Sequence, residues 1–135
     1  MARRYALDTG VLSLHVDGDS RVRPFMDEVA RGRAEGIVTD LALTEFQHKL
    51  CQSAGRKTAE TQGKWIRSSR LRVVHNSPYL DLAWLLKCKH RGRFSLADCV
   101  LLAVAQVHAC RILTTDGAFA DLHEPRVSVQ VLPVT

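Results

Sequence analysis

Apolar and polar residues follow one another along this chain in blocks that predict strands and helices in alternation. Short apolar runs between turn residues predict five strands, at residues 4–8, 36–39, 71–74, 111–115 and 127–132. Apolar residues at helical spacing predict the helices, at residues 11–16, 20–33, 41–53, 57–69, 78–90 and 95–109, with a helical turn near 119–122. Strands that alternate with helices through short connections predict an α/β fold, a three-layer α/β/α sandwich around a mainly parallel central sheet.

The segment 95–109 contains the most apolar helix of the chain. Residues 99–105 are apolar on every side, which is typical of a buried helix, and the segment is too short to span a membrane. Ser95 and Asp98 have the Ser-x-x-acid spacing of a helix-capping box. Asp98 is therefore expected where a buried helix emerges from the core. Helix capping alone would also account for this acid.

Three other acids lie at comparable positions. Asp8 and Asp116 end the first and fourth predicted strands, and Glu45 lies one turn into the helix after the second strand. In a parallel sheet such positions meet at the carboxyl edge, where ligands bind. Crowded carboxylates raise one another's pKa, and Mg²⁺ or Mn²⁺, which prefer oxygen ligands, offset that repulsion. Each acid alone also fits a cap, a turn or a solvated position, so the hypothesis of a metal site rests on all four together.

Composition and charge limit the class of protein. The chain has 135 residues, of which 46% are hydrophobic and 24% charged, and residues 1–135 are expected to form a single domain. No segment predicts a membrane span or a signal peptide, so we expect a cytoplasmic protein without membrane contact. The net charge of +5 favours a polyanion or an acidic protein as the partner. The cysteines lack zinc-site spacing and are expected to be reduced, buried thiols: Cys51, Cys88, Cys99 and Cys110.

Four segments of the chain resemble the acidic motifs of a known family. Residues 5–12 (YALDTGVL), 43–46 (LTEF), 94–99 (FSLADC) and 112–119 (ILTTDGAF) are similar to the four motifs of PIN domains, in the same order. The resemblance is strongest to the small VapC-type toxins of toxin–antitoxin operons. It places catalytic and metal-binding carboxylates at four positions and supporting hydroxyls at two, namely Asp8, Glu45, Asp98 and Asp116, with Thr9 and Thr114. Some members carry a further acid after the fourth motif, where this chain has Gly117 and Ala118.

This resemblance implies an endoribonuclease that depends on Mg²⁺ or Mn²⁺. A divalent metal would lower the pKa of a bound water, which then attacks a phosphodiester bond of RNA. The resemblance further implies a homodimer and a cognate VapB-type antitoxin. Five apolar residues are candidates for the antitoxin groove, although they fit a place in the core equally well: Leu43, Phe46, Leu50, Trp65 and Ile66.

RNA binding requires cations, because phosphate contacts dominate its affinity. The candidates beside the site form a run that leads into Asp98: Lys87, Lys89, Arg91 and Arg93. A second basic region comprises Arg56, Lys57, Lys64, Arg67 and Arg70. Either run also fits a solvated helix face.

Three other functions compete with the toxin hypothesis. One is a PIN nuclease of RNA processing, which the genomic neighbourhood would distinguish. Another is a non-catalytic PIN module that binds RNA or protein, against which the four acids argue. The last is a phosphoacceptor receiver domain, which needs a paired acid near the first strand and a lysine after the last long strand, and neither is evident in the sequence.

Overall fold

The central sheet has five parallel strands, in a computed structural model that describes residues 3–133. The strands are β1 (Arg3–Leu7), β2 (Ala34–Thr39), β3 (Arg72–Val74), β4 (Arg111–Thr114) and β5 (Ser128–Val131), in the order β3-β2-β1-β4-β5. β1 is central, with Tyr5 paired to Gly36 on one side and to Arg111 on the other. The predicted fold class is confirmed. The two residues at each end of the predicted domain lie outside the described part.

Six α-helices connect the strands within residues 3–133. They are α1 (Thr9–Val16), α2 (Arg23–Ala30), α3 (Asp40–Ala54), α4 (Arg56–Ser68), α5 (Leu80–Lys89) and α6 (Leu96–His108), with 3-10 turns at Ser77–Tyr79 and Gly117–Phe119. No helix within residues 3–133 is long and apolar enough to cross a membrane.

Two apolar layers cover the two faces of the sheet. Side chains alternate between the faces along a strand. Tyr5 and Leu7 pack with α1–α4, whereas Ala6 packs on the opposite face with α5 and α6. Residues 99–105 of α6 are all buried, as their uniform apolar character predicted. These layers hold α1, α3 and α6 with their first turns at the carboxyl edge of the sheet.

Two local predictions were wrong. The helix predicted from residue 20 begins at Arg23 without a side-chain cap, because Asp19 instead accepts hydrogen bonds from the backbone and guanidinium of Arg21. All four cysteines are free, but Cys51 and Cys88 are exposed. Cys88 follows the buried Leu86 by two residues, which is about 200° around a helix, and so faces solvent.

Candidate metal centre

A small cleft lies at the carboxyl edge of β1 and β2. It has a volume of about 50 Å³, room for an ion and a few water molecules. Three of the four predicted acids line it, together with hydroxyl and apolar side chains. The lining residues are Asp8, Thr9, Thr39, Leu41, Ala42, Glu45, Ser95, Ala97, Asp98 and Leu101.

Asp8 is held by two hydrogen bonds that fix both of its carboxylate oxygens. It follows β1 directly and caps α1, where its Oδ1 accepts from the backbone N–H of Thr9 at 2.8 Å. Its Oδ2 accepts from the hydroxyl of Thr114 at 2.8 Å. Thr114 is fully buried at the end of β4. The neighbouring strand therefore orients Asp8 towards the cleft.

Glu45 reaches the same cleft from α3. The hydroxyl of Thr39 begins this helix by accepting a hydrogen bond from the N–H of Ala42 at 3.0 Å. Glu45 lies one turn further on and is half-buried. The buried hydroxyl of Thr9 donates to Glu45 Oε2 at 3.4 Å. Thr9 thus links the elements that carry the first and second acids.

Asp98 closes the cleft from α6, and the predicted capping box is present. Ser95 Oγ accepts from the N–H of Asp98 at 3.1 Å, and Asp98 Oδ2 accepts from the N–H of Ser95 at 3.3 Å. Burial raises the pKa of Asp98 above its ordinary value, the negative charge of Asp8 raises it further, and Asp116 adds a smaller contribution. The hydrogen bonds from Ser95 act in the opposite direction. These carboxylates therefore lie close enough to repel one another.

Asp116 lies at the rim and does not line the cleft. Its N–H donates to Thr114 Oγ1 at 3.0 Å, and its Oδ1 accepts from the N–H of Ala118 at 2.9 Å. It is exposed, and its charge nevertheless reaches Asp98. The hydroxyl of Thr114 thus donates to Asp8 and accepts from Asp116, and so links the two acids. Gly10 allows α1 to approach this end of β4, because a Cβ at residue 10 would stand 2.7 Å from Thr115 Oγ1.

None of the four acids forms an ion pair with a basic side chain anywhere in residues 3–133. Within the same residues, no three His, Cys, Asp or Glu side chains already stand as a metal-binding group. The donors at the cleft are carboxylate and hydroxyl oxygens, the chemistry that Mg²⁺ and Mn²⁺ prefer. The donor set therefore fits such an ion, and Asp8, Glu45 and Asp98 are the residues that would hold it.

Most of the predicted basic patch is engaged by other parts of the protein. Lys87 Nζ donates to the carbonyl of Phe94 at 2.5 Å, and Lys89 Nζ contacts the carboxylate of Glu124 at 2.5 and 3.0 Å. Arg93 pairs with Asp121 and also donates to the carbonyl of Ala118 at 2.7 Å.

The contacts of Lys89 and Arg93 join the end of α5 and the loop before α6 to the segment after β4. The charges of Lys89 and Arg93 are therefore already balanced by carboxylates of the same chain. Arg91, by contrast, is exposed and makes no side-chain hydrogen bond among the described residues.

The apolar residues proposed for an antitoxin groove separate into two groups. Leu43, Phe46 and Ile66 are at most 2% exposed and belong to the core, and the partly buried Leu50 packs against it. Trp65 is 45% exposed and lies against His15, with ring centroids 5.0 Å apart. It lines an apolar cleft of about 230 Å³ with Met26, Val29 and Leu71 among others.

Sequence reasoning missed Thr39 and Gly10. Thr39 lines the cleft and starts the helix that carries Glu45, and a threonine between a strand and a helix is a recognisable N-cap signal. Gly10 had no such signal, because the close approach that requires it involves Thr115, which is distant in sequence.

An α/β/α sandwich with carboxylates at its carboxyl edge defines the class of fold, and a family model identifies the family. The model of the PIN domain family matches residues 5–125, and the chain belongs to that family. A search of curated proteins finds no match.

Several solved structures share the fold. The VapBC2 complex of Rickettsia felis bound to a promoter DNA fragment superposes with a TM-score of 0.73 at 13% identity, covering 96% of this chain and 98% of that one. DNA-bound VapBC of Salmonella typhimurium gives 0.72 at 12% identity, over 97% and 98% of the chains. VapC20 of Mycobacterium tuberculosis, a sarcin-ricin loop cleaving toxin, gives 0.66 at 21% identity, over 86% and 92%.

Proposed function

We propose that this PIN domain is an endoribonuclease that depends on Mg²⁺ or Mn²⁺, with Asp8, Glu45, Asp98 and Asp116 as its catalytic carboxylates. The observation that carries this proposal is the cleft that Asp8, Glu45 and Asp98 line together, with no basic partner for them in residues 3–133. Its all-oxygen donor set favours a hard divalent cation. RNA as the substrate is supported by the similarity in fold to VapC20, which cleaves the sarcin-ricin loop.

The residues of the chain hold the donors in place before any ligand binds. A divalent ion in the cleft would lower the pKa of a water molecule and offset the charge that develops on the phosphate. Thr114 and the N–H of Thr9 orient the two oxygens of Asp8, and the capping box orients Asp98. Because these contacts are formed in advance, little reorganisation is needed at the moment of reaction.

Cleavage of a defined RNA panel tests the proposal. We expect cleavage with Mg²⁺ or Mn²⁺ and none with EDTA. Attack by water on the phosphorus with the 3′-oxygen as the leaving group should give 5′-phosphate and 3′-hydroxyl products. Asp8→Asn keeps an oxygen acceptor for Thr114 but removes the charge, and it should reduce the rate by about 100-fold or more.

Asp81→Asn is the matched control, because Asp81 is exposed in the first turn of α5 and makes no ion pair or side-chain hydrogen bond among the described residues. It should cleave at the wild-type rate. Undiminished cleavage by Asp8→Asn, or full activity in EDTA, would contradict the proposal.

We further assign this nuclease to the VapC-type toxins, with a VapB-type antitoxin as its partner. The VapBC complexes of similar fold support this assignment, as does the exposed Trp65 at an apolar cleft. The cleft has the apolar lining that an amphipathic antitoxin helix would need. Growth arrest on expression, relieved by the product of an adjacent short reading frame, is the expected result.

We also propose that the protein is a homodimer. Large apolar side chains are exposed on α5 and α6, and Leu80, Trp84 and Leu85 are each about half exposed. Such a patch marks an interaction surface. A second copy is its proposed occupant, and the mass in solution should be twice that of the 15.1 kDa chain.

A further inference from the structure

Arginines mark the amino edge of the sheet, opposite the acidic cleft. β3 begins at Arg72, β1 at Arg3 followed by Arg4, and β4 at Arg111, while Arg126 lies two residues before β5. The strand order distributes these positions along the amino edge, where the register staggers them, with Arg111 level with Tyr5 and Arg72 level with Ile37. Neighbouring strands are about 4.8 Å apart, so the row extends for roughly 19 Å. We call these five residues the arginine row.

Two glutamates neutralise only part of the row. Glu35 is shared by Arg4 and Arg72, with N–O distances of 3.3 and 3.2 Å. Glu28 pairs with Arg3 at 3.1 Å. Among the described residues, five arginines thus face two glutamates, and the edge keeps a surplus of positive charge.

The guanidinium groups retain donors for a ligand. Each guanidinium has five N–H donors, and Arg4 uses only its Nε for Glu35 and its Nη1 for the carbonyl of His108. Arg111 is exposed and makes no side-chain hydrogen bond in residues 3–133. Arg3, Arg4 and Arg111 line a cleft of about 180 Å³ together with Ser128. Because Glu35 already holds Arg4 and Arg72 in place, a ligand would immobilise few further side-chain torsions.

His108 provides a separate sign of the positive field at this edge. Its imidazole accepts or donates a 2.7 Å hydrogen bond with the hydroxyl of Tyr79. Burial lowers the pKa of His108, and the charges of Arg72, Arg4 and Arg126 lower it further, while Glu35 acts against them. The positive charges of three members of the arginine row therefore lower the pKa of the same imidazole at the end of α6.

We propose that the arginine row binds phosphate groups of the RNA backbone, as a second contact remote from the cleavage site. This inference rests on the proposed ribonuclease function. The acidic cleft repels RNA unless a cation is bound, and Lys89 and Arg93 beside it are paired with Glu124 and Asp121. Planar guanidinium forks match phosphate oxygens in pairs, which favours arginine for this role.

The position of the row also sets the length of RNA that benefits from it. β1 spans five residues, so about 17 Å of strand separates the two edges, and the surface path around the protein is longer. At roughly 3.4 Å per nucleotide, a stacked RNA of about eight residues covers about 27 Å and has little length to spare on this path, whereas one of about 30 residues covers about 100 Å. The longer RNA therefore gains more from the arginine row.

Binding of fluorescent single-stranded RNA in EDTA tests the inference, because cleavage is then suppressed. Arg111→Glu should weaken the binding of the 30-residue RNA by about fivefold or more. It should also lower the slope of log affinity against log salt by about 0.7 for each phosphate that the protein no longer binds. The eight-residue RNA should be affected less. Arg111→Ala should act in the same direction with a smaller change, and thermal unfolding midpoints check that both variants are folded.

Arg23→Glu is the matched control, since Arg23 is exposed at the start of α2, lies outside both basic runs and the arginine row, and the substitution makes the same change in net charge. Wild-type affinity in Arg111→Glu, or an equal loss in Arg23→Glu, would overturn the proposal. Inorganic phosphate should displace the RNA no more than chloride at equal ionic strength; stronger displacement would assign the row to small phosphates instead. Absence of RNA cleavage by the wild-type protein in Mg²⁺ or Mn²⁺ would refute the nuclease function and leave this binding result unaffected.

Discussion

The two edges of the sheet carry opposite charges and hold them in different ways. At the carboxyl edge, Asp8 and Asp98 are fixed by hydroxyl and backbone N–H donors and have no basic partner among the described residues. At the amino edge, Arg4 and Arg72 are held by a shared glutamate. The net charge of +5 therefore conceals two local charges of opposite sign. An overall charge predicts a class of partner without locating its site.

Helix direction accounts for part of this segregation. Helices that follow parallel strands start at the carboxyl edge, where the positive ends of their dipoles stabilise acids, and they end at the amino edge, where exposed carbonyls favour cations. Asp8 and Asp98 lie at the starts of α1 and α6, and Arg4 donates to the carbonyl of His108 at the end of α6. The predictions below separate this structural role from ligand binding.

The largest expected effect is on metal binding by the acidic edge. Asp98→Asn keeps an oxygen for the capping box and removes one negative donor, so Mn²⁺ affinity measured by calorimetry should fall about 100-fold, or about 2.7 kcal/mol. Asp81→Asn should leave it unchanged. Equal Mn²⁺ affinity in wild type and Asp98→Asn would show that this carboxylate serves only the helix.

A smaller effect on stability should distinguish the cations of the two edges. Lys89 is the main cationic partner of Glu124, whose side chain is 2% exposed. Lys89→Ala leaves this buried carboxylate without that partner, so it should lower the free energy of unfolding in urea by about 2 kcal/mol. Lys89→Arg should restore most of the loss. Arg111→Ala should stay within about 0.5 kcal/mol of wild type. Equal stability of Lys89→Ala and Arg111→Ala would remove the distinction between structural and free cations.

The smallest effect concerns the hydroxyl that links two acids. Thr114→Val keeps the shape of the side chain but removes the donor to Asp8 and the acceptor for Asp116 N–H, and RNA cleavage should fall about tenfold. Thr114→Ser retains the hydroxyl and should keep most of the activity. A rate in Thr114→Val that matches wild type would mean that Asp8 needs no orientation by β4.

The sequence alone determined the order of elements, the fold class and the buried α6 with its capping box, because apolar periodicity and cap residues are local signals. It also identified the carboxylates that converge. Tertiary structure decided what depends on distant residues: that Asp116 stays at the rim, that Lys89 and Arg93 are paired by Glu124 and Asp121, that Phe46 and Ile66 are core, and that arginines of β1 and β4 line one cleft. Partners far apart in sequence determine whether a charge is balanced or free, and only the assembled sheet brings them together.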